Sequence, residues 1–233
     1  MTTPLDELLG QQIDYYRERA SEYDEWFLRQ GRYDRGAERN VQWFAEAGEV
    51  TRALDAFAPR GSVLEFACGT GLWTQHLVRY ATSVTALDSS PEMLALNRAR
   101  VDDPKVRYMR ADLFGWQPDR PYNIVFFSFW LSHVPPERCE AFWDLVKRSL
   151  APRGRVFFID SLYAESSTAR DHQLPGRQET VLTRLLNDGR EYSVIKVFYQ
   201  PEQLLQRLHD LGWTANCHAT ANYFLYGSAE PND

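Results

Sequence analysis

The chain has 233 residues, 44% of them hydrophobic, and a net charge of −6; it can build one α/β domain with a full core, and it lacks the basic patch that a nucleic-acid partner requires. Cys68, Cys139 and Cys217 show no metal-ligand spacing and are odd in number, which points to a reduced, cytoplasmic chain without a metal. No apolar run reaches the roughly 18 residues of a membrane span, and Met1-Thr2-Thr3-Pro4-Leu5-Asp6-Glu7 has neither the basic nor the apolar region of a signal peptide.

Residues 5–30 read as helical, with Leu5, Leu8, Leu9, Ile13 and Tyr16 on one stripe. The segment is dense in aromatics (Tyr15, Tyr16, Tyr23, Trp26, Phe27, and Tyr33 just beyond), interleaved with Arg17, Glu18 and Arg19. Two readings stand: a lid that lines a ligand site, or a helix packed on a sheet edge. A polar break at Gln30–Gly36 leads to a helix near 38–57 and a first strand at 62–67.

That strand runs into Val63-Leu64-Glu65-Phe66-Ala67-Cys68-Gly69-Thr70-Gly71. A Gly-x-Gly turn lets backbone groups approach a ligand because glycine has no Cβ. Seventeen residues after Gly71, the strand Ser83–Leu87 ends in Asp88, where Rossmann-type sheets grip a ribose diol. The two features predict a nucleoside cofactor; for Asp88 alone a helix N-cap before Ser89-Ser90-Pro91 is the plainer role, and the two are compatible. A dinucleotide is disfavoured, since Thr74 occupies the position that wants a small residue, with bulky Trp73 beside it, and Glu65 would repel a pyrophosphate. A cationic cofactor would welcome Glu65. The pattern Glu-x-Ala-x-Gly-x-Gly resembles the first motif of class I S-adenosylmethionine-dependent methyltransferases.

Strand and helix signals then alternate: helix 72–80, strand 83–88, helix 91–100, strands 105–109 and 122–128, helix 136–150, strand 154–160. This predicts a parallel sheet with helices on both faces. Tyr108-Met109-Arg110-Ala111-Asp112-Leu113 resembles the family's third motif, which implies that Asp112 faces the adenine amino group. Tyr122–Ser128 and Leu150–Ile159 resemble its fourth strand and its fifth with the preceding turn. After strand four, Phe129-Trp130-Leu131-Ser132-His133-Val134-Pro135 places His133 as a general base or as a structural histidine holding the loop.

Residues 161–178, with Ser166-Ser167-Thr168 and Pro175-Gly176, read as a loop or lid. A hairpin follows within 179–199 around Asn187-Asp188-Gly189. Leu182, Arg184 and Leu186 share one strand face, as do Tyr192, Val194, Lys196 and Phe198. Cations flanked by apolar neighbours suggest an anion clamp of Arg184 and Lys196, or edge charges that prevent aggregation; Arg190 beside the turn reads as solvated. Pro201 opens an amphipathic helix ended by Gly212, and 213–226 reads as the final strand.

Further stretches, Tyr15–Asp24, Phe126-Phe127 with Trp130–Pro135, and Asp188-Gly189-Arg190 with Ile195–Phe198, resemble one subgroup of the family. It is the set of small bacterial enzymes that includes the dehydrophos phosphonate O-methyltransferase. The likeness runs from about residue 12 to 226, with a longer insert around Gly31–Val50 as a departure that bears on the acceptor site and on any oligomer contact.

The resemblance implies a Rossmann-like, seven-stranded, mostly parallel sheet with an antiparallel last strand, an N-terminal helical lid and a late β-hairpin. The chain reads as one domain: lid 1–58, cofactor core 59–160, substrate-side loop and hairpin 161–199, closing helix and strand 200–233. It implies S-adenosylmethionine as cofactor, S-adenosylhomocysteine as product and no metal. The implied cofactor residues are Tyr15, Tyr23, Glu65, Ala67, Gly69, Thr70, Gly71, Trp73, Asp88, Ser89, Met93, Asp112, Leu113 and Phe129. His133 and Tyr16 are the catalytic candidates; Tyr33, Trp130, His133, Arg184 and Lys196 are the substrate candidates. The expected reaction is O-methylation of a small acidic metabolite, phosphonate or carboxylate, in bacterial secondary metabolism. N-methylation of a small amine and a non-catalytic cofactor-binding role are the alternatives.

Overall fold

Thr3, Asp6 and Pro4 start the chain's first helix for a local reason. The Thr3 hydroxyl accepts the Asp6 N–H while the Asp6 carboxylate accepts the Thr3 N–H, and Pro4 occupies the first helical turn. The computed structural model describes residues 3–174, 176–177 and 179–232; Pro175 of the expected Pro175-Gly176 signal lies outside the described residues.

The helices are α1 (Pro4–Glu18), α2 (Tyr23–Phe27), α3 (Ala37–Phe57), α4 (Thr74–Leu77), α5 (Pro91–Val101), α6 (Cys139–Ser149) and α7 (Pro201–Asp210). The strands are β1 (Gly61–Phe66), β2 (Ala81–Asp88), β3 (Val106–Arg110), β4 (Tyr122–Ser128), β5 (Leu150–Ser161), β6 (Val181–Leu185), β7 (Glu191–Ile195), β8 (Trp213–Ala219) and β9 (Phe224–Pro231). Seven of them form one sheet in the order β3-β2-β1-β4-β5-β9-β8. β1 to β5 are parallel, and β9 runs antiparallel to both β5 and β8. Strand order reverses beside β1, so a crevice opens at the carboxyl ends of β1 and β4, where open α/β sheets bind ligands.

Alternation along the strands feeds two cores. Leu64, Phe66, Val125, Phe127 and Phe158 face Phe142 and Trp143 of α6 and Leu204 and Leu208 of α7. Val63, Ile124, Phe126, Phe157 and Ile159 face Trp43, Val50 and Leu54 of α3. A third cluster, Tyr15 with Leu182, Leu186 and Val194, docks α1 on the separate β6–β7 hairpin. Gln12 completes that joint, accepting from the Ile195 N–H (3.0 Å) and donating to the His133 carbonyl (3.2 Å).

Three expectations change. The helix expected over 5–30 breaks between α1 and α2, where tight turns at Ala20 and Glu22 fold Arg19 inward among tyrosines. The helix expected over 72–80 keeps only α4, since His76, Arg79 and Tyr80 bond three residues back and wind more tightly than an α-helix. The single strand expected over 213–226 is two, β8 and β9. Their turn forms around the buried Glu46 of α3, which accepts from the Asn222 and Tyr223 N–H groups, the Thr220 hydroxyl and the Asn222 amide.

The 161–178 loop carries one 3₁₀ turn, Glu165–Ser167. Its carbonyls are held from the lid: Trp26 Nε1 and Arg29 donate to Ser167, Arg29 also to Ser166, and Arg35 to Thr168 and Ala169. Among the described residues no helix is long and apolar enough to cross a membrane.

Candidate active site

β1 ends in a turn of left-handed backbone: φ is +48° at Ala67, +51° at Gly69 and +87° at Gly71. Gly71 is required twice over, by its φ and because a Cβ there would sit 2.7 Å from Asn97 Oδ1. The turn is fixed from below. Asn97 Nδ2 donates to Thr74 Oγ1 (2.8 Å) and to the Cys68 and Gly69 carbonyls, and Thr74 donates to Glu65 Oε2 (2.7 Å). Asp88, at the end of β2, accepts the N–H groups of Gly69 and Ser90, each at 2.9 Å.

Glu65 is buried, and its Oε1 has no hydrogen-bond partner among the described residues. Burial pushes its carboxyl from the ordinary 4.5 up to about 8, with the nearby Asp88 charge adding to the rise. The native state thus holds this proton more tightly than the unfolded chain does. The stability it contributes is complete below pH 4.5 and is lost as pH rises toward about 8. Glu65→Gln is therefore expected to melt progressively higher than the wild type as pH rises through that window. Parallel melting curves for the two proteins across it would overturn this reading.

Two adjoining cavities open above the turn. The first spans about 710 Å³, counting space open to solvent; Ala67, Gly69, Asp88, Ser89, Met93, Asp112 and Leu113 line its sheet side, and Leu9, Gln12 and Ile13 of α1 close it. The second spans about 600 Å³ on the same count and is lined by Tyr15, Arg19, Tyr33, Ser161, Thr168, Arg184 and Lys196. Tyr16, Tyr23, Phe129 and His133 line both. Phe129 is held there by a left-handed φ of +53° at the end of β4.

In the shared wall, His133 Nδ1 lies 2.6 Å from the Ile195 carbonyl, which can only accept, so the proton is on Nδ1. Nε2 is then an acceptor for the Tyr16 hydroxyl at 2.7 Å. Burial, then the Lys196 charge, drives the His133 pKa well below its ordinary value, so the ring is neutral. Burial likewise raises the Tyr16 phenol.

The second cavity is cationic. Lys196 is enclosed by Ser132 Oγ (2.7 Å), Ser161 Oγ (2.9 Å) and Asp160 Oδ1 (3.4 Å). Arg184 donates to Thr168 Oγ1 (2.8 Å) and faces His172 Nδ1 (3.1 Å). Burial and then the Arg184 and Arg32 charges lower His172 to about 3, so it too is neutral. Arg19, 8% exposed, donates to the Tyr33 hydroxyl. The Tyr15 hydroxyl is buried without a partner among the described residues.

A methyltransferase-domain family model matches residues 63–154. DhpI in complex with SAH superposes with a TM-score of 0.78 at 38% identity, covering 97% of each chain. The DhpI–SAM–HEP complex gives 0.80 at 39% identity, covering 99% of this chain and all of that one. The chain belongs to the class I S-adenosylmethionine-dependent methyltransferases. Among curated relatives, trans-aconitate 2-methyltransferase of Azoarcus sp. strain BH72 is 33% identical over 102 residues, 40% of each protein. The chain spans 60% or less of the length of such relatives.

The methyltransferase places its predicted residues unevenly. Tyr23, Ala67, Gly69, Asp88, Ser89, Met93, Asp112, Leu113 and Phe129 line the first cavity. Tyr15, expected at the cofactor, lines only the second cavity, because α1 turns it onto the hairpin. Trp130, expected at the substrate, lines the first, its ring tilted against Phe114 at 5.8 Å. Glu65 and Gly71 lie behind the wall. Thr70, whose hydroxyl donates to Asp24 (2.6 Å), and Trp73, packed against Phe27 and Phe126, line a smaller pocket of about 280 Å³ beside the turn with Tyr23, Ala67, Gly69 and Phe129. Tyr33, His133, Arg184 and Lys196 do converge on one space. Arg19 was missed as a site residue, although it stands four positions from both Tyr15 and Tyr23, the spacing that brings helical side chains together.

Proposed function

We propose that this methyltransferase methylates an oxygen of a small acidic metabolite, a phosphonate or a carboxylate. The observation that carries the reading is the pair of adjoining cavities. One is built on the Gly69–Gly71 turn, Asp88 and Asp112; the other is lined by Arg19, Arg184 and Lys196, and Tyr16, Tyr23, Phe129 and His133 stand between them. The match to DhpI over nearly the whole chain and the likeness to a trans-aconitate methyltransferase support an acid as acceptor. Among the described residues no carboxylate lines the second cavity to receive an amine, and Asp160, behind Lys196, is already paired with it.

The first cavity fits the cofactor. The turn leaves room for close approach, Asp88 keeps lone pairs for the ribose hydroxyls, and Asp112 for the adenine amino group. Bound S-adenosylmethionine supplies an electrophilic sulfonium methyl. Tyr16 and Tyr23, in the shared wall, offer that cation aromatic faces worth about 0.5–2 kcal/mol. Arg184 orients the acceptor so that its oxygen faces the wall, and positioning of this kind can contribute about 7–11 kcal/mol. The clamp must not overbind, because the attacking oxygen loses charge in the transition state. An anionic oxygen has no proton to lose, so neutral His133 serves by holding the Tyr16 hydroxyl and the Ile195 carbonyl in place.

Release of S-adenosylhomocysteine measured across matched acids and amines tests the reading. Turnover of acids is expected, and Arg184→Gln should raise the acceptor KM by about tenfold or more, the loss of one charge-assisted hydrogen bond, at unchanged cofactor affinity. Turnover confined to amines, or an unaltered KM, would overturn it.

A further inference from the structure

Arg19 is a buried cation that no carboxylate answers. Among the described residues no Asp or Glu oxygen lies within salt-bridge reach of it, or of Arg184. Its guanidinium carbon lies 5.6, 5.1 and 5.6 Å from the ring centroids of Tyr15, Tyr23 and Tyr33. Those faces stabilise the charge in part, but one hydrogen bond to Tyr33 leaves most of its five N–H donors without a partner among the described residues. Tyr15 stands in the same cavity wall, its buried hydroxyl without a partner among the described residues.

The wall's charges do not balance. Three cations line it, Arg19, Arg184 and Lys196. Asp160 answers one of them, Lys196. His133 and His172 are neutral. Two positive charges therefore remain, both on guanidinium groups, Arg19 buried and Arg184 half-buried. Leaving a buried charge unpaired is costly unless something else pairs with it.

We infer that Arg19 is a specificity-determining residue that sets the acceptor's charge: the enzyme selects an acceptor carrying two negative charges, one for each unanswered guanidinium. This rests on the acidic-acceptor reading and sharpens it. Methyl transfer forms an O–CH₃ bond and breaks the sulfonium S–CH₃ bond, whose electron pair stays on sulfur. The esterified acceptor keeps one charge fewer, so one guanidinium is left unanswered in the product complex. The product is then held more weakly than the acceptor, and a second methylation is disfavoured.

Calorimetric titration of the protein saturated with S-adenosylhomocysteine tests this, with ethylphosphonate against its monomethyl ester and succinate against monomethyl succinate, at a pH where the acids are fully ionised. The expected result is tighter binding of at least one dianion than of its ester, by about 10- to 100-fold. Arg19→Gln should abolish that gap by weakening the dianion alone, and Arg19→Lys should restore part of it. Unchanged affinity for S-adenosylhomocysteine shows that each variant is folded. Equal loss of dianion and ester in folded Arg19→Gln, or a gap equal to the wild type's, overturns the role of Arg19 and leaves the acidic-acceptor reading intact. Wild-type protein that binds neither dianion nor ester while binding amines overturns both.

Discussion

Asp88→Ala should weaken S-adenosylmethionine binding by about 100-fold or more, the loss of charge-assisted hydrogen bonds to a ribose diol. Asp88 also holds the N–H groups of Gly69 and Ser90, so the variant loses both the ligand contact and part of the support for the turn. The strands beneath do not depend on it, and the sheet should persist. Asp88→Asn, with a single acceptor oxygen, should fall between the two. Titration calorimetry on folded variants reads the effect directly. An unchanged dissociation constant for Asp88→Ala would remove Asp88 from the cofactor site.

Lys196→Met should destabilise the fold by about 3–5 kcal/mol, because it leaves Asp160 charged and buried without its cation. The N–H groups of Ser132 and Ser161 still reach that carboxylate, which keeps the loss near the lower end. Asp160→Asn added to Lys196→Met should recover much of the stability. Denaturant unfolding of the two variants decides the matter; a Lys196→Met protein as stable as the wild type would show that the pair carries no weight. The acceptor KM is then best measured in the double variant, where the contribution of Lys196 to acceptor binding is separated from its support of Asp160.

The glycine turn, Asp88 and Asp112 were legible in the sequence because their signals are local. A strand, a turn and an acidic residue at a set distance dictate one another through backbone geometry. The strand alternation was legible for the same reason, since side chains two apart share a face. What escaped depends on contacts distant along the chain. Tyr15 lines the second cavity because α1 meets the hairpin through Leu182, Leu186 and Val194, and Trp130 lines the first beside Phe114. The break between β8 and β9 follows from Glu46, more than 170 residues earlier. Glu65 reads in the sequence as a ligand for a cation, yet its carboxyl is turned toward Thr74 under the turn. Arg19 was hidden because the i, i+4 rule names its neighbours but not which way the chain bends after Glu18.

The second cavity is assembled from two stretches that are remote in sequence. The lid brings Tyr15, Arg19 and Tyr33, and residues 161–199 bring Ser161, Thr168, Arg184 and Lys196. The two are bound to each other through Gln12 and Ile195, Arg32 and the Leu185 and Leu186 carbonyls, and Arg29 and the Ser166 and Ser167 carbonyls. On the proposed function, acceptor choice is accordingly a heritable unit split across the gene. A lineage that adopts a new acceptor must revise both stretches together, while the cofactor half can stay as it is. A graft of either stretch alone from a relative would bring foreign charges against native ones, and only the paired graft would carry selectivity across.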